Sequence, residues 1–201
     1  MAGVSFMPRF MIAAASTEQT VLWNSADKAS NVSLSNGDLT AGSSSATFGS
    51  VRATLGRSSG KYYYEILCTQ PGSTRTGLGD GSFSLTTYVG NSAKSAGVVS
   101  GANTNNGYTL SASGTFTLSA GDYLMFAVDM DADKAWIGKN NAWQLSGDPA
   151  AETTPWLTVV SGTVYPATSV YETNCSFTLR TKTSEVVGTV PSGFSVWAAN
   201  T

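Results

Sequence analysis

The chain has 201 residues, a net charge of −2, 12% charged residues, 41% hydrophobic residues and no histidine. That length suits one domain with an appendage, large enough to bury a core without disulfide or metal support. The absence of His removes the Ser-His-Asp triad, a Cys-His pair and most zinc sites, and the 11 basic residues form no stripe of the kind that displaces counterions from nucleic acid.

An ordinary globular chain has about 25% charged residues. Here 28 Ser, 25 Thr and 21 Gly take their place. Thr suits a pleated surface, and Ser and Gly suit tight turns, so the composition reads as many short strands joined by turns. With 10% aromatic residues there is enough apolar surface for a packed core, which separates the chain from disordered sequences. No run approaches the ~20 apolar residues of a membrane span, and there is no basic amphipathic helix to lie on a bilayer.

Residues 1–19 carry Val4, Phe6, Met7, Phe10, Met11 and Ile12 without a strand pattern. The apolar run from Phe10 to Ala15 is short, and Ala13 to Ala15 only loosely resembles a cleavage site. The segment is read as an N-terminal docking arm, with Phe6, Met7, Phe10, Met11 and Ile12 as its assembly residues. Residues 20–201 form the domain.

Along that domain several segments alternate with the period of a half-buried strand. Val32 and Leu34 alternate with Ser33 and Ser35; Val51, Ala53 and Leu55 with Arg52 and Thr54; Phe116 and Leu118 with Thr115 and Thr117; Cys175, Phe177 and Leu179 with Ser176, Thr178 and Arg180. Three runs are apolar on both faces, at 62–67, 123–130 and 164–171, and predict central strands covered on each side. Turn signals stand at 36–38, 58–60, 71–73, 79–81 and 146–149. Residues 91–108, rich in Gly, Ser and Asn, predict an excursion on one edge. The pattern points to an antiparallel β-sandwich of two packed sheets, without internal repeats.

The chemistry-bearing residues are sparse. Asp129, Asp131 and Asp133 open like a calcium loop, but its sixth position would be Lys134 instead of Gly and its twelfth Asn140 instead of Glu. They read instead as a hairpin turn stabilised by short polar side chains. No acid pair is marked as catalytic, and Ser nucleophiles lack an activating base. No catalytic residue, metal or cofactor is expected. Cys68 and Cys175 sit in alternating apolar runs and read as buried free thiols, although neighbouring strands could bring them together. Trp23, Trp136 and Trp197 lie in strand-like contexts and belong to the core. Trp143 and Trp156 flank a polar loop containing proline; they are either a ligand-binding platform or the side chains that pin that loop to the sandwich.

The order of motifs is similar to that of the SPRY domain. Ser59-Gly60-Lys61-Tyr62-Tyr63-Tyr64-Glu65-Ile66 resembles the family's "G-K-x-Y-x-E-V" strand, and Gly77-Leu78-Gly79-Asp80 its "G-V-G" strand. The run from Gly121 to Asp131 resembles "G-D-x-I-G-x-A-x-D-x-D", Lys134 to Asn141 resembles the "L-x-F-x-K-N-G" hairpin, and Tyr165-Pro166-Ala167 resembles "Y-P-A-x-S". The likeness spans about residues 20–198. Asn141 replaces the hairpin glycine, a substitution the left-handed conformation tolerates. The aromatic-rich peptide-binding loops of the animal signalling members are not evident, and their ligands are not carried over. The stretches 146–153 and 190–194 look like SPRY proteins of tailed bacteriophages. That resemblance implies a SPRY-like sandwich in a virion: a capsid decoration or a head or tail fibre protein, assembled in the host cytoplasm. Its implied partners are other capsid or tail proteins, with copies arrayed by particle symmetry or as homo-oligomers. The alternative is a module that recognises a host glycan or surface protein.

Overall fold

The computed structural model of the chain describes residues 17–100, 115–158 and 162–200. The assembly residues of the arm, and residues 101–108 of the expected excursion, lie outside them. The strands in chain order are β1 (Glu18–Gln19), β2 (Trp23–Lys28), β3 (Val32–Ser35), β4 (Thr40–Ser43), β5 (Gly49–Ala53), β6 (Lys61–Gln70), β7 (Thr74–Asp80), β8 (Ser95–Ser100), β9 (Thr115–Phe116), β10 (Tyr123–Asp129), β11 (Lys134–Lys139), β12 (Ala142–Trp143), β13 (Leu157–Thr158), β14 (Val164–Val170), β15 (Ser176–Arg180), β16 (Ser195–Val196) and β17 (Ala199–Asn200). The described residues form two large sheets. One is ordered β12-β11-β10-β6-β15-β4-β3, with β13 also on β11 and β16 also on β6; the other is ordered β2-β5-β14-β7-β8-β9. Pairing is antiparallel apart from β16 on β6 and β9 on β8. Glu18 and Gln19, on the arm side of the expected boundary, pair with Asn200 and Ala199.

The main core lies between the sheets. Trp23, Val51, Tyr64, Ile66, Phe126, Phe177, Leu179 and Trp197 are all buried there. Tyr64 stacks on Phe126 with centroids 4.7 Å apart and meets Trp197 edge-on at 5.5 Å. Its hydroxyl donates to the Gly77 carbonyl at 2.7 Å, so one side chain of β6 ties the first sheet to β7 of the second. Both cysteines are buried free thiols, and burial pushes Cys68 up to about 11.

The runs apolar on both faces are covered on both faces, as their composition requires. Every residue of β10 is buried. Its outer face joins Tyr63, Trp136 and Phe194 in a second cluster, beneath Val186 and Val190 of the C-terminal segment. Glu65, fully buried on the same face of β6, anchors that segment. Its carboxylate accepts from the Tyr63 hydroxyl (2.8 Å) and from the Val187 and Gly188 amides (3.0 and 2.6 Å), with Arg180 Nη1 at 3.7 Å. A buried carboxylate without such partners would be strongly unfavourable, so its position dictates the path of residues 186–188.

The outer face of β14 is covered by the loop after β7, where Phe83 and Val89 pack with Ala167. A Cβ at Gly79 would lie 2.4 Å from the Phe83 ring, so the glycine is what admits the ring to the sheet. Arg52 fixes the start of this loop. It makes a two-pronged bond to Asp27 (2.6 and 2.7 Å), donates to the Phe83 carbonyl at 3.0 Å, and stacks on the Phe83 ring. Arg52 is thus a buried outer-face residue, where alternation alone would leave it in solvent.

Two expectations are corrected. Gly79 and Asp80 continue β7, and the turn falls at 81–82. Residues 95–100 of the expected excursion form β8, because Gly97 lets β8 lie close against β7: a Cβ there would meet the Thr76 carbonyl oxygen at 2.5 Å. The hairpin signals hold. Asp129 Oδ1 accepts from the amides of Asp131 and Ala132, each at 3.0 Å, and Asp133 has φ +54°. At the β11–β12 turn, Asn140 and Asn141 both have positive φ, +50° and +66°, the conformation expected of a two-residue turn at Asn141.

Candidate functional site

Three strand ends meet at one end of the second sheet. Val170, the last residue of β14, pairs with Gly49 at the start of β5 and with Thr74 at the start of β7. Side chains alternate across a sheet, so Phe48, two residues before Ser50, and Tyr171, two residues after Ser169, emerge on the same outer face. The Ser50 and Ser169 hydroxyls meet there, 2.8 Å apart. They also seat the loop after β7. Ser50 Oγ donates to the Thr87 carbonyl at 2.5 Å, the Ser50 amide donates to the Leu85 carbonyl at 2.8 Å, and Ser169 Oγ accepts from the Val89 amide at 2.7 Å. This buried hydroxyl pair places Tyr88 beside Phe48.

The result is an aromatic cradle. Phe48 lies 5.1 Å from Tyr88 and 4.8 Å from Tyr171, centroid to centroid, with tilted rings. Arg75 of β7 slides its guanidinium beneath them, 3.5 Å from the Tyr88 centroid and 5.2 Å from that of Phe48. The arginine is buried and the three rings are half-buried. Aromatic faces attract a cation, so the guanidinium holds the rings in place while their free edges and faces meet solvent. Rigid, half-exposed aromatic side chains of this kind carry binding energy at low entropic cost. Sequence reading missed this cluster, since its members are single aromatic residues in three separate segments. The available signal was the shared two-residue offset of Phe48 and Tyr171 from buried serines in paired strands.

A second recessed surface lies on the first sheet: a groove of about 940 Å³ over β3, β4, β15 and the end of β6. Thr178 is its centre. Its hydroxyl lies 2.7 Å from that of Thr40 and 2.9 Å from that of Thr69. Asn36 and Gln70 add amides, Leu39 and Leu67 add apolar floor, and Arg180 and Glu185 stand at one end. Glu185 is already engaged by the Thr181 and Lys182 amides and by the Thr20 hydroxyl.

Trp143 and Trp156 do not share a platform. Trp156 is 2% exposed and lies in the main core, with its amide donating to the Ala135 carbonyl at 2.8 Å. It is corrected to a residue that pins the loop, because β13 follows it directly onto β11 and draws the indole inward. Trp143 is half-buried and meets Tyr63 edge-on at 6.4 Å, over the second cluster. The other acidic residues of note have structural partners. Lys61 faces both Glu152 and Asp129 (3.1 Å), and these bonds, that to Glu152 foremost, raise its pKa. Asp122 is held down to about 2 by Lys139, the Ser119 amide and Asn140. Among the described residues, no three His, Cys, Asp or Glu side chains converge on a metal-sized site.

No protein-family model matches the sequence, and no curated protein matches it. Solved structures do match the fold. The SPRY domain of human HERC1 aligns over 79% of this chain and 96% of its own, at 17% identity and a TM-score of 0.56. The TRIM65 PSpry domain aligns over 80% of this chain and 92% of its own, at 14% identity and a TM-score of 0.56. Two packed antiparallel sheets, the motif-bearing strands in their expected order, and these likenesses make the fold that of a SPRY β-sandwich.

Proposed function

We propose that the chain is a non-catalytic binding module that engages a protein partner through the Phe48–Tyr88–Tyr171 cradle. The carrying observation is the convergence of three half-exposed rings from distant segments on one buried guanidinium, with a hydroxyl pair beneath. Such an arrangement is preorganised, which lowers the cost of association. The reading is tested by capture of partners with full-length protein, comparing the native chain with Tyr88→Ala and Tyr171→Ala.

The finer placement we propose is a bacteriophage virion, as a capsid decoration or a head or tail fibre protein, with residues 1–19 attaching the chain and the sandwich displayed. Its support is the apolar arm on a low-charge domain, together with the resemblance of 146–153 and 190–194 to phage SPRY proteins. Removing residues 1–16 leaves β1 intact; the shortened protein is expected to fold and to fail to enter particles. Unimpaired incorporation would contradict this placement.

A second reading, recognition of a host-surface glycan, is favoured by the hydroxyl-lined groove. Hydroxyls and amides over leucines offer the donors, acceptors and apolar floor that a sugar chain uses. Glycan-array binding that is lost in Thr178→Val and Gln70→Ala would support it, and the absence of array binding by the native protein would sink it.

A further inference from the structure

A β-bulge lies in the groove of the first sheet. Phe177 pairs with Cys68, yet the preceding Ser176 pairs with Gln70, so Thr69 is an extra residue in β6. Strict alternation would send Thr69 and Gln70 to opposite faces. A bulge re-aims side chains, and here both residues line the groove. Thr69 reaches the Thr178 hydroxyl at 2.9 Å, and Gln70 Oε1 lies 3.5 Å from Ser176 Oγ.

The strand register sets small polar residues in two rows across the strands. Ser35, Thr40 and Thr178 are cross-strand neighbours in one row, and Ser33, Gly42, Ser176 and Gln70 in the other. Neighbouring strands are about 4.8 Å apart, close to the length of one pyranose residue, so each step along a row matches one sugar. Gly42 leaves a hollow in the second row, where a Cβ would lie 3.3 Å from Ser33 Oγ and 4.0 Å from Ser176 Cβ.

The polar groups of the groove both donate and accept. Thr40, Thr178 and Thr69 form a chain of three hydroxyls in which donation can run in either direction. Three hydroxyls joined by two hydrogen bonds leave a proton to donate at one end and lone pairs at the other. Sugar hydroxyls, which also donate and accept, match such a chain; a carboxylate or sulfate only accepts. Among the described residues, the charged side chains lining the groove are Arg180 and Glu185, and both are engaged from within. Arg180 Nη1 lies 3.7 Å from the fully buried Glu65 carboxylate, and Glu185 accepts from the Thr181 and Lys182 amides. An acidic sugar would meet a cation already facing Glu65, with the Glu185 carboxylate beside it.

We propose that the groove binds an uncharged glycan segment running across β3, β4, β15 and β6, and discriminates against uronic, sialic and sulfated sugars. This rests on the glycan reading of the groove and adds the class of sugar and the hydroxyl chain that selects it.

The test is a glycan array with neutral and acidic members, probed with the full-length native protein, Thr178→Val and Thr178→Ser, each checked for folding by thermal melting. Val suits a strand and keeps the shape of Thr while removing the central hydroxyl; Ser keeps that hydroxyl. The native protein should bind neutral hexose or N-acetylhexosamine chains, with affinity changing less than about twofold between about 50 and 500 mM NaCl. Thr178→Val should weaken this binding about fivefold or more, and Thr178→Ser should restore it. Thr178-dependent binding confined to acidic glycans and weakened by salt would overturn the selectivity for uncharged sugars while leaving the glycan reading in place. Equal binding by the native protein and Thr178→Val, or no array binding at all, would overturn both.

Discussion

The guanidinium carbon of Arg75 lies 3.5 Å from the ring centroid of Tyr88. A loop residue is thereby locked onto a strand residue of the second sheet, and with Phe48 and Tyr171 it becomes part of a fixed surface. The buried hydroxyls of Ser50 and Ser169 hold the same loop from below. The fold thus invests its buried polar contacts in positioning the rings, which is the feature expected of a contact surface.

Glu65→Gln should destabilise the protein by about 3 kcal/mol, because it replaces a buried carboxylate that accepts from a hydroxyl and two amides. Hydrogen exchange should speed up at the Val187 and Gly188 amides more than in the β6–β10 ladder. Unchanged exchange at those two amides would show that Glu65 does not anchor the segment.

Trp156→Ala should cost about 3–5 kcal/mol, as expected for a large residue removed from a core, since its indole is 2% exposed. Trp143→Ala, at a half-buried site over Tyr63, should cost roughly half as much or less. Chemical denaturation of the two variants measures the difference. Equal costs would place both residues in the same environment, contrary to the structure.

Asp122 gives a pH-dependent contribution. Its carboxylate is bonded by Lys139 Nζ, the Ser119 amide and Asn140 Nδ2, and its folded-state pKa falls to about 2. A depressed acid stabilises the fold fully above its unfolded pKa of about 3.9, and that stabilisation is lost as pH falls toward 2. Asp122→Asn should therefore lower stability by roughly 1 kcal/mol at pH 7, with the deficit vanishing near pH 2. Urea denaturation across that range tests the sign.

The sandwich was legible because its strands advertise themselves. Val32 and Leu34 alternate with serines, and residues 124–128 are apolar throughout because Phe126 faces one core while Met125 faces another. Asn140 and Asn141 marked their turn by tolerance of positive φ. Trp156 was open between two roles because a polar, proline-containing loop suggests exposure, while β13 beyond it pulls the indole inward. Arg52 misled because alternation cannot foresee a loop folding back over the outer face. The cradle was hidden for a related reason. Strand register brings Phe48 to Tyr171, and the hydroxyl pair with Arg75 brings Tyr88 to Phe48.

The most direct test of a binding module acting through this cradle is paired affinity capture. Full-length native protein, Tyr88→Ala and Tyr171→Ala would be immobilised equally, with folding checked by thermal melting, and challenged with virion and host-surface proteins. The prediction is a protein partner retained by the native chain and depleted about tenfold or more with each variant. Undiminished capture of that partner by both folded variants would contradict the cradle as the binding surface.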